Sequence, residues 1–181
     1  MSSTASEEVL LRRAALEDLA QIVEICGKAV AILNADGNFQ WNSSYPLQSD
    51  FERDIKDNVL WVAVVGGNVA GFAALTCDQP DEYAEVGLDI SETCIVPHRV
   101  AVDPIFRGKG IAVKFMQIAE ALAKEAGYKY VRVDTNSMNI AMQNLFVKLG
   151  YQYCGPDFKF KEKPPVNGVE MTFKCYQKIM V

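Results

Sequence analysis

A short glycine-rich turn between an apolar segment and a long amphipathic segment constrains this chain more than any other feature. Residues 98–102 are mostly apolar or β-branched, which predicts a strand, and Asp103-Pro104 ends it because proline cannot donate a further ladder bond. Gly108 and Gly110 allow a sharp turn into a helix. A helix N-terminus exposes unpaired N–H groups and the positive end of its dipole. The sequence therefore predicts an anion site suited to phosphate.

Two familiar phosphate-binding loops do not fit this turn. A Walker loop ends in Gly-Lys-Ser/Thr, whereas Gly110 is followed by Ile111 and no hydroxyl is available for magnesium. A dinucleotide-binding fingerprint that started at Gly108 would meet Val113 where a small residue must pack the helix against the strand. The pattern Arg/Gln-x-x-Gly-x-Gly/Ala does fit, and it covers residues 107–112.

Two segments carry a resemblance to a known family. Residues 107–112, with Ala-Val-Asp-Pro at 101–104 before them, resemble motif A of the GNAT superfamily of acyl-CoA-dependent N-acyltransferases. Residues 139–151 open with an Asn and end in Lys-Leu-Gly-Tyr, which looks like motif B of that family. One predicted helix and one predicted strand separate the motifs, as in the family. The resemblance covers residues 59–155 well and the flanks in outline.

The resemblance implies an α/β fold with a central, twisted, mainly antiparallel sheet. The GNAT-type sheet has about seven strands, of which strands 4 and 5 are parallel, and about four helices flank it. We expect a single domain over residues 1–181, with 1–8 as a flexible N-terminus. Apolar periodicity predicts a helix over 15–33, and Ser49 with Glu52 predicts a capping box for a second helix. The predicted strands cover 9–13, 59–65, 69–75, 93–102, 128–134, 151–154 and 169–176.

The resemblance also implies acetyl-CoA as the co-substrate. The turn 107–112 would hold the pyrophosphate, and strand 4 would offer unpaired amides, such as that of Val100, to pantetheine. Arg107 and Lys109 either add positive charge there or are solvated loop residues, and Asn139 either contacts the cofactor or only caps its helix. The implied cofactor contacts are Val100, Ala101, Val102, Arg107, Gly108, Lys109, Gly110, Ile111, Ala112, Asn139 and Phe146.

The only histidine of the chain, His98, lies on the predicted strand 4. It resembles a strand histidine of the arylalkylamine N-acetyltransferases that relays the amine proton, although Val96 stands where those enzymes have a second histidine. A relay here would be shorter, or would use water and Glu92. The other interpretation is a structural histidine, with Glu92 or Glu85 as the base. The backbone N–H of Val100 would donate a hydrogen bond to the oxyanion that develops on the thioester carbonyl. Strand alternation predicts one face with Cys94, Val96, His98, Val100 and Val102.

Phe146 departs from the family pattern. Many members have a tyrosine at this position whose hydroxyl can protonate the departing CoA sulfur, and a phenylalanine cannot. The thiolate then leaves unassisted, or catalysis is slow or absent, or another group substitutes. The groups considered for that role are Ser137, Tyr151, Tyr153 and Cys154.

The acceptor is predicted to be a small cationic primary amine. In the family, the segment between the first two helices lies over the acceptor pocket, which makes Trp41 and Tyr45 substrate contacts; otherwise they plug the edge of the core. Residues 78–93 hold six acidic residues and no Lys or Arg, so this stretch, including Glu85, is either a solvated loop or attracts a cation. Polyamines, aminoglycosides, amino acids, arylalkylamines and protein N-termini all stay open.

Composition limits the partners. The net charge of −5 disfavours nucleic acid and anionic membranes, and no apolar run is long enough to span a bilayer. The polar N-terminus is unlike a targeting peptide, so we expect a cytoplasmic protein. Five cysteines lack CxxC spacing, so no metal is predicted. An apolar last strand leaves room for a homodimer.

Two rival functions stay open. One is a non-catalytic acyl-CoA sensor or interaction module on the same fold, which the missing tyrosine at Phe146 favours. The other is a nucleotide-binding oxidoreductase, which the partial fingerprint at Gly108 favours. The chain lacks the further strand–helix units that a doubly wound sheet needs, which disfavours the oxidoreductase.

Overall fold

The computed structural model describes residues 8–181, so the predicted flexible segment 1–8 lies outside the described residues except for Glu8. Seven strands form one mixed sheet in the order β1-β2-β3-β4-β5-β7-β6, and β4 and β5 are parallel, which confirms the predicted number of strands and the predicted parallel pair. The strands are β1 Leu10–Arg13, β2 Leu60–Val65, β3 Asn68–Thr76, β4 Cys94–Val102, β5 Tyr130–Asn136, β6 Gln152–Phe158 and β7 Phe173–Ile179.

Helices cover both faces of this sheet. They are α1 Leu19–Ala35, α2 Gln48–Lys56, α3 Ile111–Glu125 and α4 Ile140–Lys148. On one face, Phe115 of α3 and Phe146 of α4 are fully buried in a shared apolar cluster. On the other face, Ile22 of α1 and Phe51 of α2 pack against Phe72 of β3. In the described part of the chain, no helix has the length and apolarity that a membrane crossing requires.

β4 and β5 separate soon after they meet. They pair in parallel only at Cys94 with Tyr130 and at Ile95 with Val131. β4 then stays hydrogen-bonded to β3 as far as Val102, while β5 stays hydrogen-bonded to β7 over its whole length. A wedge therefore opens in the sheet, and the β4 edge that faces it has backbone groups without a strand partner.

A bulge in β4 reverses the direction of its side chains beside this wedge. His98 pairs with Ala74 and Ala101 with Phe72, so two β4 residues oppose one β3 residue. Arg99, within the bulge, has a φ of 49°. The predicted common face of the strand is therefore wrong: Cys94 and Val96 pack beneath β6 and β7, whereas Val100 and Val102 pack against the α3 cluster.

Two smaller sequence predictions are also wrong. α2 begins at Gln48 rather than after a Ser49 cap, because the Leu47 N–H donates to the Asp50 carboxylate at 2.8 Å. The last strand begins at Phe173 and lies between β5 and β6, so it has no free edge for a second copy. The edges of the sheet are β1 and β6. A homodimer stays a prediction.

The close approach of β3 and β4 gives a first prediction. A Cβ added to Gly71 would lie 2.7 Å from the Ala101 carbonyl oxygen, so Gly71→Ala forces the backbone apart and lowers the free energy of unfolding by about 1–3 kcal/mol. Gly27, on the exposed side of α1, has nothing within 4 Å of an added Cβ, so Gly27→Ala adds about 0.5–1 kcal/mol. Urea unfolding measures both, and equal effects would refute this packing.

Candidate active site

The glycine turn leads into α3 through two residues of positive φ. Gly108 has a φ of 80° and Gly110, the residue that precedes the helix, has a φ of 71°. No side chain caps α3, and its first backbone bond runs from the Lys114 N–H to the Gly110 carbonyl. The N–H groups of the first turn therefore remain available for an anion. Residues other than glycine rarely adopt these φ values, which explains why both positions are glycine.

A cavity of about 200 Å³ lies beside this turn, between α1 and β4. We call it the smaller cavity. It brings together six of the eleven predicted cofactor contacts, and Ile32 and Leu33 of α1 provide an apolar wall. The six are Val100, Ala101, Val102, Arg107, Ala112 and Asn139. Ile111 is 2% exposed in the core, so only its backbone faces the turn.

A larger cavity, of about 640 Å³, fills the wedge between β4 and β5. Pro97, His98 and Arg99 line it from β4, and Val133 and Asp134 line it from β5. The two cavities share five lining residues, so they adjoin. The shared residues are Gln40, Trp41, Val100, Asn139 and Met142. Among residues 8–181, Val100 is the one strand residue that borders both cavities.

His98 lies in the larger cavity with one nitrogen already committed. Its Nε2 is 3.0 Å from the carbonyl oxygen of Asp78, and a carbonyl only accepts, so we assign the proton to Nε2. The neutral ring then carries its lone pair on Nδ1. Burial lowers the pKa of His98, and the negative charge of Asp134 partly opposes that shift. His98 is therefore neutral at pH 7 and able to accept a proton.

Asp134 is a cavity residue that the sequence analysis missed. Its carboxylate accepts a 2.7 Å hydrogen bond from the Tyr83 hydroxyl, and burial raises its pKa. Tyr83 is fully buried, whereas five of the six acidic residues in the stretch 78–93 are exposed, as in a solvated loop. The available signal was a carboxylate at the end of the predicted strand 5, next to the predicted splay.

Arg99, Asp54 and Tyr45 form one buried polar group on the opposite wall. Arg99 Nε and Nη2 donate to the two Asp54 oxygens at 2.8 and 2.9 Å, and Nη1 lies 2.9 Å from the Tyr45 hydroxyl. Burial raises the pKa of the Asp54 carboxyl, while the Arg99 charge partly offsets that effect. This bidentate pair holds the bulge of β4 against α2.

Of the predicted acceptor contacts, Trp41 and Tyr45 line a cavity and Glu85 does not. Trp41 is 7% exposed, stacks on Phe72 and lines both cavities, and Tyr45 lines the larger one. Glu85 is exposed and pairs with Lys161 at 3.3 Å. Glu92 is exposed in the turn before β4. Neither glutamate lines either cavity, so neither is placed to contact an amine there.

Asn139 and Phe146 both border the larger cavity. Asn139 caps α4 by accepting a 3.3 Å bond from the Met142 N–H, and the residue also lines the smaller cavity. Phe146 is fully buried. The four residues considered as substitutes for its missing hydroxyl lie outside both cavities, and two of the hydroxyls are committed to Asp157 and one to Glu120. They are Ser137, Tyr151, Tyr153 and Cys154. Among residues 8–181 no cluster of metal-ligating side chains occurs.

Comparison with known proteins gives a consistent result. Residues 28–151 match the model of the acetyltransferase (GNAT) family. The N-acetylaspartate synthetases of Rattus norvegicus and Homo sapiens are each 32% identical to the chain over 95 residues, which are 52% of this chain. The matched segment spans only about 28% of the length of those relatives.

Solved structures share the whole fold. A GNAT-family acetyltransferase from Streptococcus agalactiae superposes with a TM-score of 0.77 and 30% identity, over 94% of this chain and 95% of that one. yncA from Salmonella typhimurium, solved with its cofactor acetyl-CoA, has a TM-score of 0.70 over 96% of this chain and 94% of its own. At 19% identity, the second match shows the fold alone.

The buried pair on the β4 bulge gives a second prediction. Asp54→Ala leaves the Arg99 guanidinium without its carboxylate, so the free energy of unfolding should fall by about 3–5 kcal/mol. Glu52→Ala, an exposed change on the same helix, should change it by less than about 0.5 kcal/mol. Guanidinium unfolding compares the two variants. Equal losses would show that the pair does not stabilise the bulge.

Proposed function

The chain belongs to the acetyltransferase (GNAT) family, and from that premise we propose that it transfers an acetyl group from acetyl-CoA to a small primary amine by direct attack in a ternary complex. One observation carries the proposal. The two cavities adjoin at Val100 of β4, with the uncapped helix N-terminus beside one and His98 inside the other. Two substrates that enter from opposite sides would meet at that residue.

The smaller cavity fits the nucleotide end of acetyl-CoA. The free N–H groups at the start of α3 and the Arg107 guanidinium suit a pyrophosphate. The unpaired β4 edge after Ile95 offers backbone groups to the amides of pantetheine. The apolar wall formed by Ile32 and Leu33 suits the apolar part of the pantetheine arm. We therefore propose that the thioester lies at the boundary with the larger cavity.

His98 is the proposed base. A primary amine with a pKa near 10.4 is only about one part in a thousand uncharged at pH 7, so a group that takes up its proton helps to form the nucleophile. His98 is neutral and has its lone pair on Nδ1. The carboxylate of Asp134 attracts the ammonium before transfer and stabilises the imidazolium afterwards.

The Val100 N–H is the proposed oxyanion donor. Arg99 and Val100 together oppose one β3 residue in the bulge, and β5 has already diverged, so the regular ladder is interrupted at this amide. As the carbon–nitrogen bond forms, the thioester oxygen gains charge that this donor stabilises. The carbon–sulfur bond then breaks. Because a thiol pKa is near 8.5, the sulfur can leave as a thiolate even though position 146 has no proton donor.

A non-catalytic acyl-CoA sensor is the second candidate function. The observation that favours it is Phe146, which leaves the larger cavity without a hydroxyl at the position where the family often has one. A sensor would bind acetyl-CoA and release no thiol. The name of the curated relatives, N-acetylaspartate synthetase, makes aspartate one amine to test on this chain.

Binding and thiol release test the proposed function together. Acetyl-CoA should raise the melting temperature of the protein while NAD and ATP do not, because the β4 edge suits pantetheine. CoA release should then follow with at least one amine from a panel of polyamines, amino acids and arylalkylamines. Stabilisation without release from any amine would favour the sensor. Equal stabilisation by NAD would contradict the account of the glycine turn.

The role of His98 gives a further prediction. Its pKa is lowered from 6.5, so kcat/KM should be flat near pH 7 and should fall as the pH drops below about 6.5 and the ring becomes protonated. His98→Gln should remove that acidic limb and reduce kcat by about a hundredfold, with acetyl-CoA affinity unchanged. Glu92→Gln, a change outside both cavities, should keep the limb. An unaltered profile in His98→Gln would exclude it as the base.

A further inference from the structure

Three lysines lie on the loop between β6 and β7, and one of them differs from the others. Lys159 and Lys161 are exposed and form ion pairs with Glu170 and Glu85. Lys163 is half-buried and lines the larger cavity instead. No ion pair or side-chain hydrogen bond within residues 8–181 involves its ammonium group.

Aromatic rings surround this ammonium group. Nζ of Lys163 lies 4.7 Å from the ring centre of Phe160 and 5.1 Å from those of Tyr45 and Phe173. Ring faces attract a cation, but they do not replace the oxygen acceptors that its three N–H groups need. Burial lowers the pKa of Lys163, and the negative charge of Asp134 opposes that shift. An anion beside Nζ would supply the missing acceptor and favour the charged form.

The other cations that border the larger cavity already have partners. The guanidinium of Arg99 is taken up by Asp54 and Tyr45. Arg53 pairs with Asp50, and its side chain is 59% exposed, so it lies at the solvent-exposed opening of the larger cavity. Within residues 8–181, Lys163 is therefore the one lysine or arginine of the larger cavity whose side chain has no hydrogen-bond acceptor.

We propose that Lys163 binds a carboxylate of the acceptor, so that the amine which this protein acetylates belongs to an amino acid. The inference rests on the proposed function, because it assigns the acceptor of that same site. Lys163 enters from the β6–β7 loop, and His98 and Asp134 line the cavity from the two diverging strands. An amino acid would place its carboxylate on Lys163 and its ammonium group towards His98 and Asp134, in a volume of about 640 Å³.

Calorimetry on the CoA-saturated full chain tests this proposal. The probes are L-aspartate, L-methionine and L-phenylalanine, each compared with the derivative in which every carboxylate is replaced by an uncharged carboxamide. At least one amino acid should bind about ten- to a hundredfold more tightly than its amide, since hydrogen bonds to charged groups contribute that much. Lys163→Met should abolish the preference, and Lys163→Arg should retain part of it. Lys161→Met, an exposed change on the same loop, should retain all of it.

The outcomes separate this inference from the proposed function. Equal affinity for acid and amide in all three pairs, or a preference that survives Lys163→Met, overturns the carboxylate role. Release of CoA with amines that lack a carboxylate would then leave the transferase intact with another acceptor. A Lys163-dependent preference without any CoA release would support the carboxylate site and overturn the transferase. Lys163→Met should fold and melt close to the wild-type temperature, because within residues 8–181 the ammonium group has ring contacts but no ion-pair partner.

Discussion

The divergence of β4 from β5 is the feature on which the rest of the site depends. β4 keeps its bonds to β3 up to Val102 but leaves β5 after Ile95, so the wedge has one rigid wall on each side. The bulge at Arg99 then interrupts the regular ladder beside Val100, at the place where both cavities adjoin. The buried Asp54 pair and the close contact at Gly71 hold that strand in position.

The two halves of the site use different chemistry. The proposed cofactor side relies on backbone groups, namely the uncapped start of α3 and the open edge of β4. The proposed acceptor side relies on side chains that come from distant segments: His98 from β4, Asp134 from β5 and Lys163 from the β6–β7 loop. A backbone site suits a donor whose shape never changes. Side chains on loops can change with the acceptor while the donor site is preserved.

The same division explains what could be predicted from the sequence. The glycine turn, the strand segments and the β2–β3 hairpin are local patterns, so motif and periodicity indicated them. The reversal at Arg99 could not be predicted, because a bulge depends on pairing with β3 and on Asp54, forty-five residues away. Asp134 and Lys163 join the site only through the splay and a long loop. Glu85 and Glu92 were predicted as site residues from their charge alone, and the fold places both outside the cavities.

A crystal structure of the protein with acetyl-CoA tests the central claim most directly. The account predicts the pyrophosphate on the N–H groups at the start of α3, and the thioester oxygen about 3 Å from the Val100 nitrogen, at the boundary between the cavities. A thioester that lies outside the wedge, or whose oxygen faces no backbone N–H of β4, would contradict it.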